Sequence, residues 1–316
     1  MATKCALTDL PTELLVEIAS YHESSFTFLS PLTREEHIGE RRVQREVLRS
    51  LSQTCLSLRQ IFLPKSWEHL EVSKPNLQEA CADSALTSVI FPFIKSIHLS
   101  MRSWTRSDMK AIFFLLEFIR TLPNLTGLQI YYGVSFDVVS ILSYAFAGNT
   151  SFPAIVALAV QDNLDGILGC FPNLKTLSGA SFSENSPLLR AAKTRTPYLE
   201  AIAGLRPRRY QAISERDRSL EDIGRDFPSL KALSISTRVH LETADDFFVR
   251  LKRVFGHLSD LGFVFYPDRT ELLPLEELAA RGRDVLRNSS SSDPKILRIW
   301  SYDSSVGPQI LHMEKV

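Results

Sequence analysis

Apolar residues recur at two different periods along this chain, and the place where the period changes divides it. From Leu10 the apolar positions Leu10, Leu14, Leu15 and Ile18 keep helical spacing, with Glu13 and Glu17 between them, which predicts an amphipathic helix. Pro11 suits its first turn, where a missing N–H would have no intrahelical partner. A second stripe, Val47, Leu48, Leu51, Cys55, Leu58, Ile61 and Phe62, predicts a partner helix ending before Pro64, because proline disfavours helix in the residue that precedes it. Two short helices packed on these stripes leave an apolar face.

After Val72 the period shortens to two, within segments that repeat. They read FPFIKSIHL, LPNLTGLQI, FPAIVALAV, FPNLKTLSG, TPYLEAIAG, FPSLKALSI, GHLSDLGFV and DPKILRIWS. Six units begin at prolines 92, 123, 153, 172, 197 and 228, separated by 31, 30, 19, 25 and 31 residues; the interval to Pro294 holds the proline-less unit at Gly256. Pro, any residue, an aliphatic residue, two of any type and another aliphatic residue is the shared pattern. It predicts a short strand whose alternate side chains point inward. Three large inward side chains stabilise a unit by about 5–9 kcal/mol when buried, whereas ordering about 25 residues costs several times that. One unit cannot fold alone, so the units must stack.

Helical segments separate the predicted strands. SDMKAIFFLLEFIRTL, with Ser107 as N-cap, is apolar nearly all round and is expected to be buried. Ser186 with Pro187 opens SPLLRAAK, and Thr243 caps TADDFFVRLKRVF with Asp245 and Asp246 in its first turn. Ser135 and Ser219 look like similar caps. NSSSSDP from Asn288 reads as a polar loop, and the tail after Val306 as loosely ordered.

Composition removes several function classes. The 316 residues carry 36 basic and 36 acidic side chains, so no net field attracts nucleic acid or an anionic membrane. MATKCALTD lacks the apolar run of a secretory signal; AIFFLLEFI is broken by Glu117 and is about half the length that crosses a bilayer. The expected location is the cytoplasm, the nucleus or both. Cys5, Cys55, Cys81 and Cys170 are too scattered for a disulfide framework or a zinc site. The sequons at Asn124, Asn149 and Asn288 then carry no meaning.

The two halves of the N-terminal pattern, LPTELLVEI followed by LSQTCLSLRQIFLPKSWEHLEV, resemble the F-box, including the fungal ending in which Trp67, Leu70 and Val72 lead into a repeat array. The resemblance implies a three-helix module that docks on a Skp-type adaptor and, through it, a cullin ubiquitin ligase. Residue by residue it points to Leu10, Pro11, Leu14, Leu15 and Ile18 as adaptor-binding. The later units resemble irregular leucine-rich repeats, with unequal lengths and without the asparagine ladder of the commonest form. The expected fold is therefore α/β: an F-box-like helical module over 1–72, with an insertion at about 22–46, then an irregular leucine-rich-repeat solenoid, horseshoe-like, of about eight units over 73–316. Within the insertion, REEHIGERRVQREVLR mixes both charges, as a solvated extension of the second helix or a regulatory surface would.

No phosphate loop, GxSxG elbow, HExxH helix or GxGxxG turn occurs; GASFS at Gly179 lacks the closing glycine. His98, His240 and His257 fall in or near repeat strands as lone histidines, and no enzyme, catalytic residue, metal or cofactor is expected. The informative positions are the outward ones of the strands: His98, Arg102, Gln129, Tyr131, Gln161, Ser234, Ser236, Arg238, Trp300 and Tyr302, which stacking would align on one sheet face as a surface for an unidentified protein substrate. Trp300 and Tyr302 have a second reading, as a cap over the last unit's core. RPRRY at Arg206 reads as a solvated loop or an anion site. Two functions follow: a ligase substrate adaptor acting by proximity, or a non-ligase repeat scaffold whose F-box is degenerate.

Overall fold

The computed structural model of the chain describes residues 10–11, 13–15, 17, 36–73, 89–101, 104–132, 136–147, 151–183, 186–206, 213–236, 239, 241–265, 272–303 and 307–316. The described residues up to Tyr131 belong to one compact unit and those from Tyr132 to another. Both are α/β, with strands and helices alternating along the chain.

The first unit begins with helical residues at Glu13, Leu14, Leu15 and Glu17. Helix α1 (Glu36–Ser52) and helix α2 (Leu56–Trp67) follow. Leu15, Leu48, Leu58 and Phe62 form a closed apolar cluster, with Leu10, Leu51, Cys55 and Ile61 packed against it. The expected stripe is thus real but divided between two helices. The chain turns at Gln53–Thr54, where the Thr54 hydroxyl donates to the Leu51 carbonyl and Cys55 is extended. Pro64 does not end α2, which runs through it to Trp67 at the loss of the one backbone bond that its missing N–H would have donated.

Strands β1 (His69–Ser73), β2 (Ser96–Ser100) and β3 (Gly127–Tyr131) then pair in parallel, in sequence order. The strand that closes the expected helical module is therefore also the first strand of a sheet. Between β2 and β3 lies α3 (Met109–Thr121). Its Ile112, Leu115, Leu116, Phe118 and Ile119 are buried, but Phe113 and Phe114 are 41% and 52% exposed, so it is one-sided where burial all round was expected. Ser107 is not its cap. Asp108 holds that position, and its carboxylate accepts from the Thr105 N–H at 2.8 Å.

In the second unit the elements run α4 (Phe136–Ala147), β4 (Ala157–Ala159), β5 (Thr176–Phe182), α5 (Pro187–Arg195), β6 (Ala201–Leu205), α6 (Ile213–Asp226), β7 (Ala232–Ile235), α7 (Ala244–Val254), β8 (Asp260–Phe265), α8 (Leu275–Arg287), β9 (Ile296–Asp303) and β10 (Gly307–Lys315). Strands β4 to β9 are parallel to their sequence neighbours, and β10 returns antiparallel along β9. The C-terminal residues expected to be loose are thus a paired strand. Their hydrophobic alternation is weak, and pairing with β9 supplies the order instead. NSSSSDP is a loop as expected, held by Ser290 N–H to the Gly256 carbonyl at 2.8 Å.

Each predicted unit forms its strand, β2 to β9, and in five of them the proline explains how. The carbonyl before it accepts from the N–H three residues on, as in Phe91 to Ile94, Phe152 to Ile155, Phe171 to Leu174, Thr196 to Leu199 and Phe227 to Leu230. That is a turn in which proline presets the backbone at the second position. Entry into the next strand is fixed by one carbonyl accepting two N–H groups: Val156 from Lys175 and Thr176, Lys175 from Glu200 and Ala201, Glu200 from Lys231 and Ala232, Lys231 from Ser259 and Asp260. The asparagines at 124 and 173 bridge consecutive turns, donating to the carbonyls of Pro92 and Pro153.

Helix starts follow local chemistry where a cap is adjacent. Ser186 accepts from the Leu189 N–H at 3.1 Å with Pro187 in the first turn, as expected. Thr243 occupies the cap position of α7 without a side-chain bond to the helix. Ser219 lies inside α6 rather than at its start; Ser135 is outside the described residues. Ion pairs between successive helices, Lys193 with Asp226, Glu221 with Arg253, and Lys252 with Asp284, tie the layer laterally.

Candidate functional site

Two surfaces collect the residues singled out from the sequence. The first is the N-terminal helical cluster. Leu15 is 4% exposed at its centre and Leu10 packs against it. Pro11 is exposed, its carbonyl accepting from the Leu15 N–H at 3.2 Å, and Leu14 is 44% exposed. Ile18 lies outside the described residues. The motif therefore divides: Leu10 and Leu15 face the cluster, whereas Pro11 and Leu14 face out.

Among the described residues of α1 and α2, three further apolar side chains are left open, Val43, Val47 and Leu56, the last 79% exposed. Val47 was expected in the buried stripe. It falls instead one residue off the line of Leu48 and Leu51, on the same side as Val43 one turn earlier. That i, i+4 pair of valines within a strongly charged helix was the signal in the sequence. A small cluster exposing this much aliphatic surface is the form that a docking face takes.

The second surface is the outward face of the strands. In the first unit Glu71, His98 and Gln129 stand opposite one another on β1, β2 and β3, and Ser73, Ser100 and Tyr131 form the next row. His98 and Tyr131 are half-buried. Gln129 is 2% exposed, with its Oε1 lacking a hydrogen-bond partner. Glu71 accepts from Arg45 of α1 at 3.2 Å.

In the second unit Ser178, Ala203, Ser234, Gly262 and Arg298 form one registered row across β5 to β9. All of these residues but Arg298 are small, and Trp300 closes over the row's last positions: a Cβ on Gly262 would fall 2.3 Å from its ring. Trp300 is consequently 2% exposed and Ser234 1%. Arg298 pairs with Asp260 at low exposure. The Asp260 carboxyl is held above its ordinary range by burial, which outweighs the guanidinium beside it.

Several expected substrate contacts are thereby corrected. Gln129, Ser234 and Trp300 do point out of the strands, as alternation requires, but they are covered. Ser236 is also buried. Gln161 donates from Nε2 to the Tyr132 carbonyl at 2.9 Å, so its amide holds the backbone. Arg102, Arg238 and the side chain of Tyr302 lie outside the described residues. Alternation fixes a side chain's direction; what lies above it depends on neighbours distant in sequence, here Gly262 beneath Trp300.

Among the described residues no group of three or more His, Cys, Asp or Glu could hold a metal ion. His257 shares a hydrogen bond with Ser290 at 2.6 Å, and His240 is outside the described residues. The Cys170 thiol donates to the Phe146 carbonyl, and burial pushes its pKa up, away from a reactive thiolate. Arg206 is exposed at the end of β6, and the rest of RPRRY is outside the described residues. No described helix is long and apolar enough to cross a membrane. No protein-family model matches the chain, and no curated protein matches it either.

Proposed function

We propose that this chain is the substrate-recognition subunit of a ubiquitin ligase of the Skp, cullin and F-box type. In this reading the N-terminal helical cluster is an F-box that binds a Skp-type adaptor, and through it a cullin, in the cytoplasm or nucleus. The strands form irregular leucine-rich repeats that hold a protein substrate. No bond is made or broken by this chain. Holding two partners at once raises the local concentration of substrate lysines at the ubiquitin carrier.

The observation that carries the reading is the helical cluster that closes over Leu15, Leu48, Leu58 and Phe62 yet leaves Leu14, Val43, Val47 and Leu56 open, directly before repeated strands. Leu10 and Leu15 being turned inward favours a second reading, a binding scaffold whose F-box is only a helical cap on the strands.

Retention of purified Skp-type adaptor on the immobilised full chain separates the two. The ligase reading expects retention, lost in Pro11→Ala/Leu14→Ala with an unchanged circular dichroism spectrum. Leu15→Ala serves as the folding control and should cost about 2–5 kcal/mol of stability. A folded chain that retains no adaptor overturns the ligase reading and leaves the scaffold.

A further inference from the structure

Arg45 and Arg49 lie one turn apart on α1, and their guanidinium groups have unlike surroundings. Arg45 Nη2 donates to Glu71 Oε2 on β1 at 3.2 Å. Arg49 instead lies over Trp67 at the end of α2, with Cζ 4.0 Å from the ring centroid. Its Nε–H is shut off from water without an acceptor, and no carboxylate of the described residues forms an ion pair with it.

The ring explains only part of this arrangement. Stacking satisfies the face of a guanidinium, whereas its N–H groups point out along the edge of the plane and need acceptors of their own. Burial, and then the neighbouring Arg45, pull the Arg49 guanidinium below its usual pKa, with Glu46 acting in the opposite direction. A stacked, partly dehydrated cation beside a second cation, whose Nη groups, unlike the enclosed Nε–H, are not shut off and have no acceptor among the described residues, is pre-oriented for an oxyanion. Its flat fork matches a carboxylate.

We propose that Arg49, seated on Trp67 and flanked by Arg45, is a recognition point for a carboxylate of an acidic peptide segment on a partner protein. A single carboxylate fits better than a doubly charged phosphate, because Glu46 and Glu71 lie in the same neighbourhood and would oppose the additional charge. The site is independent of the adaptor reading and does not use the residues assigned to it.

Tryptophan emission of the full chain is a suitable readout. Of the three tryptophans, Trp104 and Trp300 are 3% and 2% exposed, so Trp67 is the one open to a ligand. Titration with end-blocked hexaglutamate at low salt should give a saturable change that weakens as salt is added, with no response to hexaglutamine. Arg49→Gln should weaken the apparent affinity about tenfold or more, and Arg49→Lys, which keeps charge without the fork, should restore it only in part. Circular dichroism establishes that each variant is folded.

No saturable change in the intact chain overturns the proposal, as does an Arg49→Gln or Arg49→Lys protein that binds as tightly as the original. Inorganic phosphate displacing hexaglutamate at equal concentration would assign the site to a phosphorylated group and overturn the acidic-peptide source. Adaptor retention by the same Arg49 variants should be unchanged, so the two readings fail separately.

Discussion

Gly204→Ala should unfold the second unit at markedly lower denaturant. Gly204 sits in β6 with φ +83°, at the point where pairing with β7 skips from Ala203 to Leu205. A Cβ there would lie 1.8 Å from the carbonyl oxygen of Gly179 on β5, and Gly179 in turn accommodates the Phe182 ring. The left-handed backbone costs a non-glycine residue about 1–2 kcal/mol. Forcing an extra carbon into a filled site costs about 1–3 kcal/mol more. Alanine returns about 0.4–1 kcal/mol by restricting the unfolded chain, leaving a net loss of about 1–5 kcal/mol. Urea unfolding followed by circular dichroism measures it. Gly256→Ala is the control, since a Cβ there meets nothing within 4 Å; its midpoint should stay put or rise slightly. A Gly204→Ala midpoint equal to the original's at unchanged slope would refute the reasoning that β6 requires glycine at this position.

Two further outcomes follow from the buried polar groups. Because the Asp260 carboxyl is raised in the folded state, the native protein holds that proton more tightly than the unfolded chain, so its contribution is most favourable at low pH and declines as pH rises from about 3.9 through the raised value. The stability of the original relative to Asp260→Asn should therefore fall across that window in urea melts at stepped pH, and a pH-independent difference would show the carboxyl to be unshifted. Ser186→Ala removes both the cap on the Leu189 N–H and the donor to Asp162; thermal melting should register a loss of about 1–2 kcal/mol, and an unchanged melting temperature would mean that the cap contributes nothing.

The strands were legible in the sequence because their signals are local. Proline in a turn, then an aliphatic residue two further on and another three beyond that, acts within nine residues, and each such segment yields a strand. The Ser186–Pro187 start of α5 is legible for the same reason. What escaped was set by residues far apart in sequence. Trp300 reads as either an exposed aromatic or a cap over the last unit until Gly262 is seen beneath it, 38 residues earlier on the neighbouring strand. The tail β10 is ordered by β9. Leu10, Pro11, Leu14 and Leu15 read as a set in the sequence, but their division into inward Leu10 and Leu15 and outward Pro11 and Leu14 depends on where α1 and α2 deliver Leu48, Leu58 and Phe62. Arg49 gave no signal of its own, since its isolation follows from Arg45 being taken up by Glu71 on β1.

Hydrogen exchange of the full chain, with and without a saturating excess of purified Skp-type adaptor, addresses the adaptor reading most directly. The account predicts slower exchange in peptides covering residues 10–17 and 43–56, where Leu14, Val43, Val47 and Leu56 are open, and unchanged exchange across β4 to β9. Unchanged exchange in those N-terminal peptides, or slowing confined to the second unit, would contradict it.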